Sequence, residues 1–177
     1  QCAHPPRRAE IFQGKGHRQV KPAQRAAALA AALLLGTAAP ACKLVLSAHP
    51  DGRELARLAL DPAEPGLRIA FDHSVLGTPV QDHYRFRIGA EGWRAHLVEE
   101  RFSGDGYGLP HAAGPGERLQ RDGDGWRLHT DRVVHPLVVR ALAAQRMRLL
   151  LPGREPQPLA ALGAAAVALR AEHCPTN

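Results

Sequence analysis

Between Leu67 and Ile88, two runs of strict apolar–polar alternation flank a short Gly- and Pro-containing turn. Odd positions of the first run read Leu67, Ile69, Phe71, His73 and Val75; even positions of the second read Val80, Asp82, Tyr84, Phe86 and Ile88. A period of two belongs to a half-buried β-strand and sits on no single face of a helix. The pair therefore predicts adjacent antiparallel strands with one face turned to a core. Two ionisable residues, His73 and Asp82, stand in that inward pattern.

The rest of the chain extends the same architecture. Lys43 to Ala48 is a short apolar run, followed by an Asp51-Gly52 turn. Glu54 to Leu60 reads as a meander strand, bounded by that turn and by "DPAEPG". "GAEG" (Gly89 to Gly92) turns the chain into Trp93 to Phe102, where Trp93, Ala95 and Leu97 mark one face and Val98 and Phe102 the other. "SGDGYGLPHAAGPGE" (Ser103 to Glu117) is a long Gly/Pro loop of a kind that is uncommon inside compact domains and often functional. A hairpin turning at Asp122 to Gly125, strands in "HPLVVRAL" and "QRMRLLL", a turn at Leu159 to Leu162 and a closing strand at Ala165 to Ala171 complete the reading. Eight to ten short strands at regular spacing predict one all-β domain over residues 43–172, an antiparallel β-sandwich or flattened barrel. There is no internal repeat, heptad or βαβ alternation.

Register can be argued from the same pattern, because a one-residue slip turns every side chain over. A four-residue loop at Leu76 to Pro79 sets Val75 against Val80, His73 against Asp82 and Phe71 against Tyr84. A four-residue loop at Gly89 to Gly92 sets Ile88 against Trp93, Tyr84 against Leu97 and Asp82 against Glu99. The expected row is His73, Asp82, Glu99, with Arg101 one diagonal step away and Tyr84 next along the face. Two neighbouring carboxylates repel, and burial worsens this. A shared proton, a protonated His73, Arg101 or a bound cation must compensate. Two readings stay open: a self-satisfied polar row that fixes register, or a site where a small organic ligand or a cation joins the row.

Charge narrows the partners. The chain of 177 residues carries a net charge of +6, but six Lys/Arg and one acid fall in residues 1–41. That leaves 17 Lys/Arg against 16 Asp/Glu, a net of +1 and no basic run, so nucleic acid is not an expected partner. The basic end has the layout of a secretory signal over residues 20–41: Lys21 and Arg25, then an apolar run from Ala26 to Gly36, then Ala39-Pro40-Ala41. Residues 1–19 read as a non-native or unstructured leader. The apolar run is too short to span a bilayer stably, so a periplasmic or secreted product without a transmembrane span is expected. Cleavage after Ala41 exposes Cys42. Lipid on Cys42, a bridge to Cys174 and a free thiol are all open, although Ala-Pro-Ala is a poor lipidation signal.

Recognised catalytic layouts are missing. Ser74 and Asp72 fall on the face opposite His73, which defeats a triad on that strand, and there is no Gly-x-Ser-x-Gly elbow. The histidines lack paired metal-ligand spacing, so no metal or other cofactor is implied. Tyr107 and His111 in the Gly-rich loop are candidates to close over a site.

The motifs His73-Ser74-Val75, Thr78-Pro79-Val80 followed by Asp82, and Gly106-Tyr107-Gly108-Leu109-Pro110 resemble an uncharacterised bacterial family, domain of unknown function 1850. The likeness extends over about Lys43 to Ala171. Asp82 departs from the Glu usual after Thr-Pro-Val, which shortens the reach of that acid. The resemblance implies a small exported protein acting beside a tripartite TRAP-type transporter with a TAXI-type binding protein. It transfers no catalytic activity. An accessory or small-ligand-binding domain is the first functional expectation. A small hydrolase using His73 with Asp82 and Glu99, and a purely structural interaction domain, are the alternatives.

Overall fold

Alternation sorts the strands into layers. The computed structural model describes residues 41–175. Their order is β1 (Lys43–Ala48), β2 (Glu54–Ala59), β3 (Gly66–Asp72), β4 (Pro79–Gly89), β5 (Gly92–Phe102), β6 (Arg118–Asp122), β7 (Gly125–Val134), β8 (Leu137–Arg140), β9 (Arg148–Leu150), β10 (Gln157–Pro158) and β11 (Ala166–Glu172). Short 3-10 turns occupy Ala143–Gln145 and Leu159–Leu162. The strands form an antiparallel sandwich that does not close into a barrel. One sheet has four strands in the order β2-β1-β11-β8, the other seven in the order β10-β9-β3-β4-β5-β7-β6. The leader and signal expected over residues 1–41 lie outside the described residues, save Ala41.

The main core fills the space between the sheets. Leu44, Leu46, Val167 and Leu169 of the small sheet meet Leu67, Ile69, Phe86, Leu97 and Leu149 of the large one. A second cluster, Val80, Phe102, Leu109 and Leu128, lies at the other end of the large sheet. There the Gly-rich segment supplies the cover: Leu109 buries its side chain over β4, β5 and β7. β8 opens after Pro136 at the edge of its sheet, where a residue without an N–H does least harm. β1 pairs with β11, which brings the two ends of the domain together, and Cys42 is disulfide-bonded to Cys174 across them.

The register between β3 and β4 differs from the expectation. Phe71 pairs with Val80, Ile69 with Asp82 and Leu67 with Tyr84, four residues away from the predicted alignment. An even shift keeps every apolar side chain on its own face, so the hydrophobic pattern alone does not distinguish the two. The turn decides. His73 N donates to Thr78 O at 2.8 Å and Gly77 N to His73 O at 2.8 Å, closing a turn over residues 73–78. Gly77 sits at φ +66°, which a glycine adopts without steric cost. β3 therefore ends at Asp72, and Val75, expected inside, is 61% exposed.

The hairpin between β4 and β5 keeps its expected register from Gly89 to Tyr84, with Ile88 on Trp93 and Tyr84 on Leu97. Between Tyr84 and His83 the pairing slips by one residue. Val98 is the extra residue of a β-bulge, and beyond it the inward positions of β5 change from odd to even. Asp82 then pairs with Glu100 instead of Glu99.

Candidate functional site

The expected row does not assemble. His73, Asp82 and Glu99 occupy three separate environments, and two of them carry chemistry.

His73 is a turn anchor. The N–H groups of Val75 and Leu76 both donate to its Nδ1, at 3.3 and 3.2 Å. The ring proton is thereby assigned to Nε2, which donates to the carbonyl of Tyr107 at 3.2 Å. Thr78 adds a second tie, its Oγ1 donating to Ser103 O at 2.7 Å. A side chain at Gly104 would meet Leu76 Cδ1 at 3.0 Å, so these loops lie close together. Gly106 and Gly108 hold positive φ angles around Tyr107, and Leu109 drops into the second core. Pro110 follows it, and Pro79 opens β4. The two motif segments thus pack two loops against each other. Ser74 and Tyr107 point to solvent, and His111 is also exposed.

Asp82 faces inward and meets Glu100, a residue the alternation pattern had placed outside. The pair lies in the seam between the two apolar clusters: Asp82 neighbours Ile69 of the main core, and Glu100 neighbours Leu128 of the second. Tyr84 donates its hydroxyl to Asp82 Oδ2 at 3.4 Å, while Asp82 Oδ1 and Glu100 Oε2 are shielded without a hydrogen-bond partner. Burial, then the charge of Glu100, pushes the Asp82 carboxyl up to about 7. Burial also raises Glu100, and it raises the Tyr84 phenol with help from the Asp82 charge. Arg132 Nη1 is 3.7 Å from Glu100 Oε2, but its closer partner is Glu117 at 2.6 Å. Thr130 and the N–H of Gly114 also bind Glu117, tying this track to the Gly-rich loop. Burial thus holds two carboxyls of one face toward their protonated forms.

Glu99 and Arg101 lie on the opposite, open face of the large sheet, 2.7 Å apart. Burial, the largest single influence, raises Glu99, but the hydrogen bond and charge of Arg101 together with the charges of Arg127 and His129 outweigh it and lower the carboxyl. The face is rich in arginine. Arg87 pairs with Asp131 at 2.7 Å, Arg127 with Asp122 at 2.6 Å and Arg85 with Glu64 at 3.2 Å. Among the described residues Arg68 and Arg148 form no ion pair, and Arg148 Nε is shielded with no acceptor. An unmet buried donor of this kind costs about 1–3 kcal/mol. His83 stands among them, lowered by burial and then by the charges of Arg68 and Arg85, which keeps it neutral.

Two depressions indent this face. One, of about 520 Å³, is lined by Ala70, Gln81, Arg101 and Arg148, with Asp122 and Asp124 in its lining as well. The other, of about 450 Å³, is lined by Arg68, His83 and Arg85 together with Asp61 and Glu64, and the two meet at Leu150. Registers explain the first. Ala70 sits directly between Arg148 on β9 and Gln81 on β4, with Arg101 beyond Gln81. One short side chain in a row of long ones leaves a pit. Sequence reading missed Arg148, Arg68 and Gln81 as site residues; the signal was there in the outward positions of β4, which read Gln81, His83, Arg85 and Arg87. Among the described residues no three His, Cys, Asp or Glu side chains are grouped to hold a metal.

The model of the family described as domain of unknown function (DUF1850) matches residues 67–157, from β3 to β10. The chain belongs to that family. No curated protein and no solved structure matches it.

Proposed function

We propose that this DUF1850 chain is an exported, non-catalytic accessory domain that binds a small ligand on the open face of its seven-stranded sheet. The observation that carries the proposal is the pair of adjoining depressions on a sheet face that no other element of the described domain covers. A catalytic role has less support. Acid–base catalysis needs a group within reach of substrate, whereas Asp82 and Glu100 are shielded between two apolar clusters and both nitrogens of His73 are engaged in loop contacts. The Cys42–Cys174 bridge supports export, because such bonds persist in oxidising compartments. The role beside a TRAP-type transporter with a TAXI-type binding protein rests on the family resemblance.

Thermal-shift measurements on the oxidised protein with a panel of anionic, neutral and cationic small molecules and divalent cations test the binding role. At least one class should raise the melting temperature saturably, and Ala70→Leu, which fills the pit, should abolish that rise. A panel with no saturable shift overturns the binding role. Co-purification with transporter subunits in mild detergent tests the partner, and failure to associate counts against it.

A further inference from the structure

We infer that the pit over Ala70 and the adjoining depression form a site for a small organic dianion, with one carboxylate on Arg148 and the second toward Arg68. The inference rests on the open face being the binding surface and adds the class of ligand. Four observations carry it. Arg148 is half-buried and forms no ion pair, and its Nε is shielded without an acceptor. A guanidinium in this state presents a planar fork that matches a carboxylate. Ala70 keeps the space beside it open, and Gln81 on the far side of the pit offers an amide to the same oxygens. Arg68, which lines the adjoining depression, also forms no ion pair. It pairs with Leu150 while Arg148 pairs with Ala70, so the two arginines are diagonal cross-strand neighbours, roughly 7–8 Å apart at the backbone. On the central strands the arginines are already held, Arg101 by Glu99 and Arg127 by Asp122. Arg148 and Arg68 stand without an acid partner beside the pit itself.

The test is isothermal titration of the oxidised full chain with succinate, adipate, inorganic phosphate and putrescine. Wild type should bind at least one dicarboxylate saturably and more tightly than phosphate, and putrescine not at all. Arg148→Gln and Ala70→Leu should each weaken the dicarboxylate at least tenfold, and Arg148→Lys, which keeps charge but loses the fork, should fall between. Arg140→Gln, on the exposed edge of the small sheet, should leave affinity unchanged. Circular dichroism confirms that the variants fold. Equal losses in Arg148→Gln and Arg140→Gln would mean nonspecific charge attraction and overturn the site. Tighter binding of phosphate than of either dicarboxylate, or of putrescine with sensitivity to Ala70→Leu, would overturn the ligand class while sparing the binding role. Absence of any saturable ligand would overturn both.

Discussion

Asp82→Asn isolates the cost of the buried acid pair. The carboxyl titrates near 7 in the folded chain against an ordinary value of 3.8. A gap of about three pH units corresponds to ~4 kcal/mol between the protonated and ionised forms. The sign follows from proton binding. Between pH 3.8 and 7 the folded state holds a proton that the unfolded state has lost, so stability falls as pH rises through that window and is flat above it. Glu100, also raised, moves stability in the same direction. An asparagine at position 82 is neutral throughout. Its oxygen accepts the Tyr84 hydroxyl as the carboxylate did. Urea unfolding followed by tryptophan fluorescence, with the disulfide intact, should show Asp82→Asn matching wild type within about 1 kcal/mol at pH 5 and exceeding it by about 2–4 kcal/mol at pH 9. A pH-independent difference, or a variant less stable than wild type at pH 9, would refute a carboxyl held protonated at this position by burial.

The disulfide closes a loop with a sequence separation of 132. Reducing it should destabilise the domain by about 2–5 kcal/mol in the same assay, the upper figure coming from loop-closure entropy; an unchanged urea midpoint would contradict this. A methyl group at Gly125 would lie 2.5 Å from the Phe102 carbonyl oxygen. Gly125→Ala should therefore cost roughly 1–3 kcal/mol, as overpacking does, and a neutral result would mean that β5 and β7 separate freely there. His73→Ala removes the acceptor of two backbone N–H groups and the tie to Tyr107. It should cost about 1–2 kcal/mol and speed proteolysis within residues 103–117 while leaving affinity on the open face intact; lost affinity would return His73 to the site.

How far the sequence could be read depended on what alternation encodes. Strand existence, the all-β class and the turn at Gly89 to Gly92 came from local signals, and the structure bears them out. Alternation also fixed which face each residue of β3 and β4 shows. It could not fix the pairing between them, because shifts of two or four residues leave the faces unchanged. The turn over residues 73–78, with its backbone hydrogen bonds, Gly77 and the His73 ring folded back on it, selected the register, and nothing in the spacing marked that ring as an acceptor. The bulge at Val98 was half visible. Trp93, Ala95 and Leu97 are odd and Phe102 is even, so the inward frame must change between them. Reading that change as a bulge would have moved Glu99 outside and Glu100 in. The groove was harder to see, because Arg148 and Ala70 become neighbours only through the β9–β3 pairing, which joins segments far apart in the chain.

The near-neutral charge of residues 42–177 conceals a division across the large sheet. Acids that the sequence spreads along the chain are gathered in two ways. Glu99, Asp122 and Asp131 stand outside as arginine partners, while Asp82 and Glu100 are carried inside by register and bulge. The bulge in β5 exchanges the two glutamates: Glu100 goes inside beside Asp82, and Glu99 stays on the open face as the partner of Arg101. The large sheet thereby sets acids held toward their neutral forms on one face and the paired arginines on the other. Composition reports their sum, which is close to zero, and only the pairing of the strands separates the terms.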